Sequence, residues 1–181
     1  MKNPKPSSKP KHYTEFLGVK ALSSAHPEVK KLKYKNPNHS AHGNKNWRSS
    51  FVLMDYLKDN PPAFNDKVLE IGCGWGGFAE YLGKKYDVKL DCITISKKQF
   101  EYAKERIYRC GLNEKVNIQI KDYRDLKEKY NSIASIEMIE AVGQNYLEGY
   151  FKTIKDNLSS NGSAAIQAIT IDDNLFDRYK Y

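Results

Sequence analysis

Several features that would point to a secreted, metal-bound or membrane-spanning protein are missing from this chain. The cysteines are only three, Cys73, Cys92 and Cys110, and they lack the paired spacing of a disulfide framework or a zinc site. No apolar run approaches the ~20 residues that span a bilayer, and the N-terminus lacks the apolar core of a signal peptide. We therefore expect a cytoplasmic protein with reduced thiols and no metal site.

Acidic residues are scarce at the start of the chain. Residues 1–50 hold 11 Lys or Arg and 2 acidic residues, whereas the whole chain has a formal net charge of +8, so the remainder is close to neutral. Five of the seven prolines lie in residues 1–45, which predicts a basic, largely irregular leader there and a folded domain over 46–181. Such a leader suits an anionic partner, phospholipid headgroups or nucleic acid, or is a solvated tail.

Regular secondary structure is predicted from residue 46 onward. An amphipathic helix over 46–59 comes first. Strands are then predicted over 67–73, 88–95, 116–121, 132–139 and 163–171, and helices over 77–86, 97–110 and 145–158. This alternation predicts an α/β fold with a parallel sheet in the doubly wound order 3-2-1-4-5. A ligand would bind where that order reverses, at the carboxyl ends of the first and fourth strands.

The strongest motif is the glycine-rich string VLEIGCGWGGF over residues 68–78. Two ligand-binding patterns fit it: G-x-G-x-x-G through Gly72, Gly74 and Gly77, and acid-x-G-x-G-x-G through Glu70, Gly72, Gly74 and Gly76. A carboxylate at Glu70 would repel a pyrophosphate but suits the ammonium group of a methionine moiety. The second strand ends in Thr-Ile-Ser at 94–96, without the acid that holds the ribose of a dinucleotide. The motif therefore favours a class I methyltransferase that binds S-adenosylmethionine over a dehydrogenase.

Further strings carry a more specific resemblance: ITISKKQFEYAKER, KDYRDLKEKYNSIASIEMIEAVG, NYLEGYFKTIKDNLSSNG and AIQAITI. Together with the glycine motif, residues 68–179 resemble the cyclopropane-fatty-acyl-phospholipid synthase family. The resemblance implies a Rossmann-like class I methyltransferase fold, here lacking the last two strands because the chain ends at Tyr181. The fifth strand would then be an open apolar edge, and we expect either dimerisation through it or marginal stability.

The resemblance also implies a cofactor site on successive strands. Its members would be Ile136 near the sulfonium, the backbone of Gly72 and Gly74 at the methionine moiety, Thr94, Ile95 and Gln99 at the ribose, and Asp122 and Tyr123 at the adenine. From the residues alone, more ordinary roles stay open. Thr94 could be a plain strand residue, Asp122 could cap the segment that follows it, and Tyr123 could belong to the core.

Two residues are candidates for catalysis. The resemblance implies that Glu140 binds a bicarbonate ion, which removes a proton after the π electrons of an acyl-chain double bond have attacked the sulfonium methyl group. Gln167 stands where the family has a histidine, and it could still donate a hydrogen bond to the anion. Residues 40–57 do not match the family's lipid-site segment with its cysteine ligand. Alternatively, Glu140 caps the helix over 145–158 or faces solvent.

The implied function is methyl or methylene transfer from S-adenosylmethionine to the double bond of unsaturated phospholipid acyl chains. The enzyme would visit the inner face of the membrane through its basic leader. Alternatives are a methyltransferase for a small molecule or RNA, and a non-catalytic cofactor-binding module. A nucleic acid partner is not expected, because the fourth strand lacks the Asp/Asn-Pro-Pro-aromatic string of base amino-group methylation.

Overall fold

The computed structural model describes residues 65–169 without a break, together with 13–16, 19–22, 57 and 59–63. The regular elements of these segments are β1 (Tyr13–Phe16), β2 (Val19–Leu22), β3 (Lys67–Ile71), α1 (Gly77–Lys85), β4 (Lys89–Thr94), α2 (Lys97–Arg109), β5 (Val116–Ile120), β6 (Tyr130–Ile136), α3 (Leu147–Asn157) and β7 (Leu158–Gln167). Short 3-10 turns lie at Tyr123–Asp125, Ile139–Ala141 and Gln144–Tyr146. The strand–helix alternation expected from residue 67 onward is present.

Strands β3 to β7 form one parallel sheet in the order β5-β4-β3-β6-β7. Because β3 is the first strand of the predicted alternation, this is the expected order 3-2-1-4-5, and the predicted fold class is confirmed. In the centre of the sheet, Leu69 of β3 pairs with Asp91 of β4 on one side and with Ile133 of β6 on the other. The strand order reverses beside β3, so a crevice is expected at the carboxyl ends of β3 and β6.

Each face of the sheet buries its own apolar layer. Alternate side chains of a strand point to opposite faces. Val68 therefore packs with the buried residues of α1 and α2, whereas Leu69 and Ile71 pack with Tyr150 and other buried residues of α3. Because both faces of the sheet are covered, the sequences of its strands are nearly continuous apolar runs.

The two longer helices begin and end by different means. The side chain of Ser96 caps α2 by accepting a hydrogen bond from the backbone N–H of Gln99. After this helix, Gly111 adopts a left-handed φ of 66°, a conformation common where helices end. The helix α3 begins at Leu147, two residues later than predicted, and Tyr146 lies in the preceding 3-10 turn, where it is 64% exposed.

The last strand also differs from its prediction. The strand is predicted over 163–171, but β7 already begins at Leu158 and ends at Gln167. Leu158 pairs with Tyr130, and the register between β6 and β7 is irregular just after this pair. The buried ring of Tyr130 extends β6 two residues before its predicted start, and β7 lengthens with it.

The N-terminal segment contains one feature that the sequence did not predict. Strands β1 and β2 form an antiparallel hairpin, in which Tyr13 pairs with Leu22, inside the leader expected to be largely irregular. The strand β2 lies close to β7 without joining the main sheet. The helix predicted over 46–59 lies outside the described residues, except for Leu57 and Asp59, which are helical.

The described residues contain neither a membrane-spanning helix nor a metal-binding cluster. Among them, no helix has both the length and the apolar character needed to cross a membrane. The same part of the chain contains no group of His, Cys, Asp and Glu residues arranged to hold a metal ion. The three cysteines are free thiols, and those of Cys73 and Cys92 are buried.

Candidate active site

A cleft of about 730 Å³ opens at the carboxyl ends of β3, β4, β5 and β6. Most of the predicted cofactor-binding residues line it, namely Glu70, Gly72, Gly74, Thr94, Ile95, Gln99, Asp122, Tyr123 and Ile136. Three predicted site residues, Gly76, Glu140 and Gln167, do not line it. Parallel strands thus bring residues from Glu70 to Tyr146 to one edge of the sheet, as the doubly wound order requires.

The glycines after β3 have separate structural roles. Gly72 has a φ of 77°, and a Cβ atom at this position would lie 2.7 Å from Cγ of Met138, so the loop after β6 packs directly on the turn. Gly74 has a φ of 52° and no heavy atom within 4 Å of its virtual Cβ, which leaves open space beside the backbone. Gly76 is buried and contacts Ala103 of α2, so it lets α1 approach α2 rather than shaping the cleft wall.

Glu70 is a carboxyl group in an apolar setting. Its side chain is 3% exposed, and the Cys92 thiol donates a hydrogen bond to its Oε2 atom over 3.5 Å. Burial raises the pKa of Glu70 to about 8, because desolvation disfavours the charged form and the thiol offsets only part of that cost. A cationic ligand in the cleft would supply the opposite charge that favours the ionised carboxylate.

The segment after β4 forms a local hydrogen-bond network. The hydroxyl of Thr94 donates to Oε1 of Gln99 over 2.8 Å and accepts from the backbone N–H of Ser96 over 3.2 Å. This network fixes the Gln99 amide against the cleft wall beside the buried Thr94. Ile95 lies between them in sequence with its side chain 76% exposed at the cleft. The structure therefore brings together the residues predicted for the ribose.

In the segment after β5, Asp122 and Tyr123 line the cleft, where the adenine was predicted to bind, and also have ordinary structural roles. Asp122 caps the 3-10 turn by accepting from the backbone N–H of Arg124, and its two oxygens accept from the Arg124 guanidinium over 2.9 and 2.6 Å. These bonds hold the pKa of Asp122 below its ordinary value. Tyr123 is half-buried and packs edge-on against Tyr150, with ring centroids 5.4 Å apart. Both residues are thus structural and line the cleft as well.

The predicted catalytic residues are placed differently. Glu140 is exposed, lies outside the cleft and accepts a hydrogen bond from the backbone N–H of Ile169. Gln167 donates from Nε2 to Oε1 of Glu137 over 3.2 Å, while its own Oε1 is buried without a partner. The bond to Ile169 places Glu140 two residues beyond Gln167, and neither side chain lines the cleft, so their shared anion-binding role stays a prediction.

Sequence reasoning missed other residues at the cleft, namely Trp75, Tyr102, Arg106, Glu137, Met138 and Tyr146. The rings of Trp75 and Tyr102 meet edge-on with centroids 5.3 Å apart. Arg106 pairs with Glu80 and donates a hydrogen bond to the carbonyl oxygen of Trp75 over 3.4 Å. Two sequence features could have pointed to these residues. Tyr102 and Arg106 are four positions apart and therefore share one face of a helix, and Trp75 lies inside the glycine motif.

The doubly wound sheet, the glycine turn and the cleft define a Rossmann-like class I methyltransferase fold. A solved mycolic acid cyclopropane synthase, complexed with SAH and CTAB, superposes with a TM-score of 0.59 at 20% identity, over 64% of this chain and 41% of that one. The model of the mycolic acid cyclopropane synthetase family matches residues 61–178, and the chain belongs to this family.

Curated relatives share more sequence than the solved structure does. The cyclopropane-fatty-acyl-phospholipid synthase of Escherichia coli K12 is 41% identical over 103 residues, which are 57% of this chain and 26% of that protein. The tuberculostearic acid methyltransferase UfaA1 of Mycobacterium tuberculosis is 38% identical over 104 residues, 58% of this chain and 24% of that protein. The chain therefore spans about a quarter of the length of the relatives it matches.

Proposed function

We propose that this chain is the cofactor-binding part of an S-adenosylmethionine-dependent methyltransferase that modifies the double bond of unsaturated phospholipid acyl chains. The observation that carries the proposal is the convergence of Glu70, Thr94, Gln99 and Asp122 on one cleft beside the glycine turn. Family membership supports the reaction class. The names of the relatives, which refer to a fatty-acyl phospholipid and to tuberculostearic acid, support the lipid substrate.

The residues present fit the cofactor. The buried Glu70 carboxyl would gain from a cation, and the cofactor carries both a sulfonium and an ammonium group. The space beside Gly74 lets a ligand approach the backbone closely. Farther along the cleft, the Thr94–Gln99 pair would hold the ribose, and Asp122 with Tyr123 would hold the adenine.

The bound cofactor supplies an electrophilic methyl group. The side chains of Ile136, Met138 and Val142 would form an apolar wall that keeps water from the reacting carbon atoms. After methyl transfer, ring closure needs a base for one proton of the transferred methyl group. A bicarbonate ion at Glu140 is the base that the family resemblance implies, and Glu140 lies outside the cleft in this structure.

Two further parts of the proposal concern the surroundings of the cleft. The basic residues of 1–50 would attract the chain to anionic phospholipid headgroups at a membrane surface. The edge strand β7 would be a contact between two copies in a homodimer, with β2 covering part of that edge in each copy. Both features would serve an enzyme whose substrate stays in the bilayer.

The test has a binding arm and a reaction arm. Calorimetry with S-adenosylhomocysteine is expected to give micromolar or tighter affinity, and Gly74→Val should weaken it, because the side chain would fill the space beside the turn. Vesicles of unsaturated phospholipid are then incubated with the chain and S-adenosylmethionine, and mass spectrometry looks for a gain of one methylene. An exposed exchange on α2, Lys98→Gln, is the matched control for binding. Absence of affinity for the nucleoside would overturn the proposal.

A further inference from the structure

Tyr150 of α3 carries a hydroxyl group in a fully buried position. Its side chain and that of Ser135 on β6 are both 0% exposed. A phenylalanine would fill the same apolar layer without a polar atom, and a buried hydroxyl that lacks a partner costs free energy. A hydroxyl at this position therefore needs hydrogen-bond partners inside the protein.

Two hydrogen bonds connect this hydroxyl with the end of β3. The Tyr150 hydroxyl donates to Oγ of Ser135 over 2.7 Å, and the Ser135 hydroxyl donates to the carbonyl oxygen of Ile71 over 3.2 Å. The direction is fixed, because a carbonyl oxygen can only accept and therefore takes the hydroxyl proton of the serine. Burial raises the pKa of Tyr150 to about 12, so its own proton stays in place at neutral pH.

The two strand residues of this relay lie directly before cleft-lining residues. Ile71 lines the cleft and is followed by Gly72 of the glycine turn, and Ser135 is followed by Ile136, which lines the cleft as well. Ile71 and Ser135 are also paired in the register of the sheet. The relay thus adds a side-chain bond to the backbone pairing at the point where β3 and β6 reach the cleft.

The ring of Tyr150 supports a different part of the cleft. It packs edge-on against the ring of Tyr123, with centroids 5.4 Å apart. Tyr123 lies in the 3-10 turn after β5, the outer strand of the sheet, and it lines the cleft where the adenine is expected. One side chain of α3 is therefore connected with both ends of the cleft, through its hydroxyl with the glycine turn and through its ring with Tyr123.

We propose that Tyr150 is a positioning residue for S-adenosylmethionine, whose hydroxyl holds the glycine-turn end of the cleft through Ser135 and whose ring holds Tyr123 at the adenine end. This inference rests on the cofactor site of the proposed function. Tyr150 does not line the cleft itself, so it acts through the residues that do. Its removal should change the affinity for the nucleoside without removing any group that contacts it.

The first test compares stability with affinity in Tyr150→Phe, Ser135→Ala and the double variant. Ser135→Ala leaves the Tyr150 hydroxyl buried without a partner and should lower the urea midpoint. The double variant removes both polar groups and should regain most of that stability. Affinity for S-adenosylhomocysteine, measured by calorimetry, should be about fivefold weaker in all three, the value of one net hydrogen bond. A merely structural role would restore affinity together with stability.

The second test uses adenosine, which lacks the amino-acid part of the cofactor and reports on the adenine end alone. Tyr150→Phe keeps the ring against Tyr123, so it should bind adenosine as the wild type does. Tyr150→Leu removes the ring contact and should weaken adenosine binding about fivefold as well. Matched controls are Tyr108→Phe, on the exposed face of α2, and Ser163→Ala, an exposed position of β7. Both should bind the two ligands normally.

The outcomes separate this inference from the function beneath it. A wild-type chain without affinity for S-adenosylhomocysteine overturns the proposed function, and the inference with it. A wild type that binds, together with Tyr150→Phe and double variants that bind equally well, overturns the inference alone. The inference is also overturned if the double variant regains affinity along with stability, because that pattern belongs to a residue that only stabilises the fold.

Discussion

The two walls of the cleft differ in how directly their residues follow from sequence. On the wall formed after β3, β4 and β5, the predicted side chains lie at the cleft, and several of their hydrogen bonds are local, as in the Thr94–Gln99 and Asp122–Arg124 bonds. Glu70 differs, because its partner is Cys92 of the neighbouring strand. On the wall formed after β6 and β7, a strained residue, Glu137, is held by Gln167 from 30 positions away. Local motifs therefore encode most of the first wall, which we call the cofactor wall after its proposed role. Tertiary pairing positions the second wall, which we call the reaction wall after its proposed role.

The largest predicted effect on stability is at Gly72, where the two walls of the cleft touch. Gly72→Ala places a Cβ atom against Met138 at a φ that alanine disfavours, and should lower the free energy of unfolding by roughly 2–4 kcal/mol. Urea denaturation measures this loss. Gly149→Ala is the control, because its Cβ meets no atom within 4 Å and the position lies in α3, so stability should rise by up to ~1 kcal/mol. Equal effects at both glycines would show that the walls are not in tight contact.

A second, pH-dependent effect is expected on the cofactor wall. The native pKa of Glu70 is about 8, above its ordinary value of 4.5, so between these values the native state keeps a proton that the unfolded state has lost. The stability of the ligand-free protein should therefore fall as pH rises from about 5 to about 8. In Glu70→Gln this fall should be smaller, which urea midpoints measured across the pH range will show. Glu101→Gln, on the exposed face of α2, should retain the full fall.

The Glu70→Gln variant also tests whether Glu70 takes part in ligand binding. Glu70→Gln should weaken binding of S-adenosylhomocysteine about 10- to 100-fold, the value of a hydrogen bond to a charged group. In the wild type, binding near pH 7 should release a proton, because the ammonium group of the ligand favours the ionised carboxylate. Calorimetry in buffers of different ionisation enthalpy measures that release. Unchanged affinity and no proton release would exclude Glu70 from the ammonium site.

The smallest effect on stability is expected at the adenine end. Asp122→Asn removes a largely exposed ion pair with Arg124, so the free energy of unfolding should change by less than ~1 kcal/mol. Since the pKa of Asp122 is lowered, its small stabilising contribution should be present above its ordinary value of 3.8 and be lost as pH falls further. Nucleoside affinity should still decrease in this variant and stay constant in Glu105→Gln, which breaks an exposed pair on α2. A large loss of stability with normal affinity would reverse the roles assigned to Asp122.

The errors in the predicted elements lie mainly on the reaction wall. The central strands β3, β4 and β5 end within two residues of their predicted limits, because their apolar runs are bounded by glycine or polar residues. The strand β6 was predicted to continue to residue 139 but ends at Ile136, where Glu137 turns into the left-handed region. No local signal marks that turn, since glutamate rarely adopts this conformation and the bonds between Glu137 and Gln167 join residues 30 positions apart.

The sequence by itself determined the parallel order of the sheet, the glycine turn and the residues that line the cofactor end of the cleft. These features depend on strand periodicity and on motifs of a few residues, whose hydrogen bonds close within the same segment except for the one between Glu70 and Cys92. Only the tertiary structure decided that Glu137 rather than Glu140 lies in the cleft, that Gly76 packs helices together, and that β2 lies against β7. The physical reason is that these placements depend on contacts between segments far apart in the chain, and residue spacing carries no information about them.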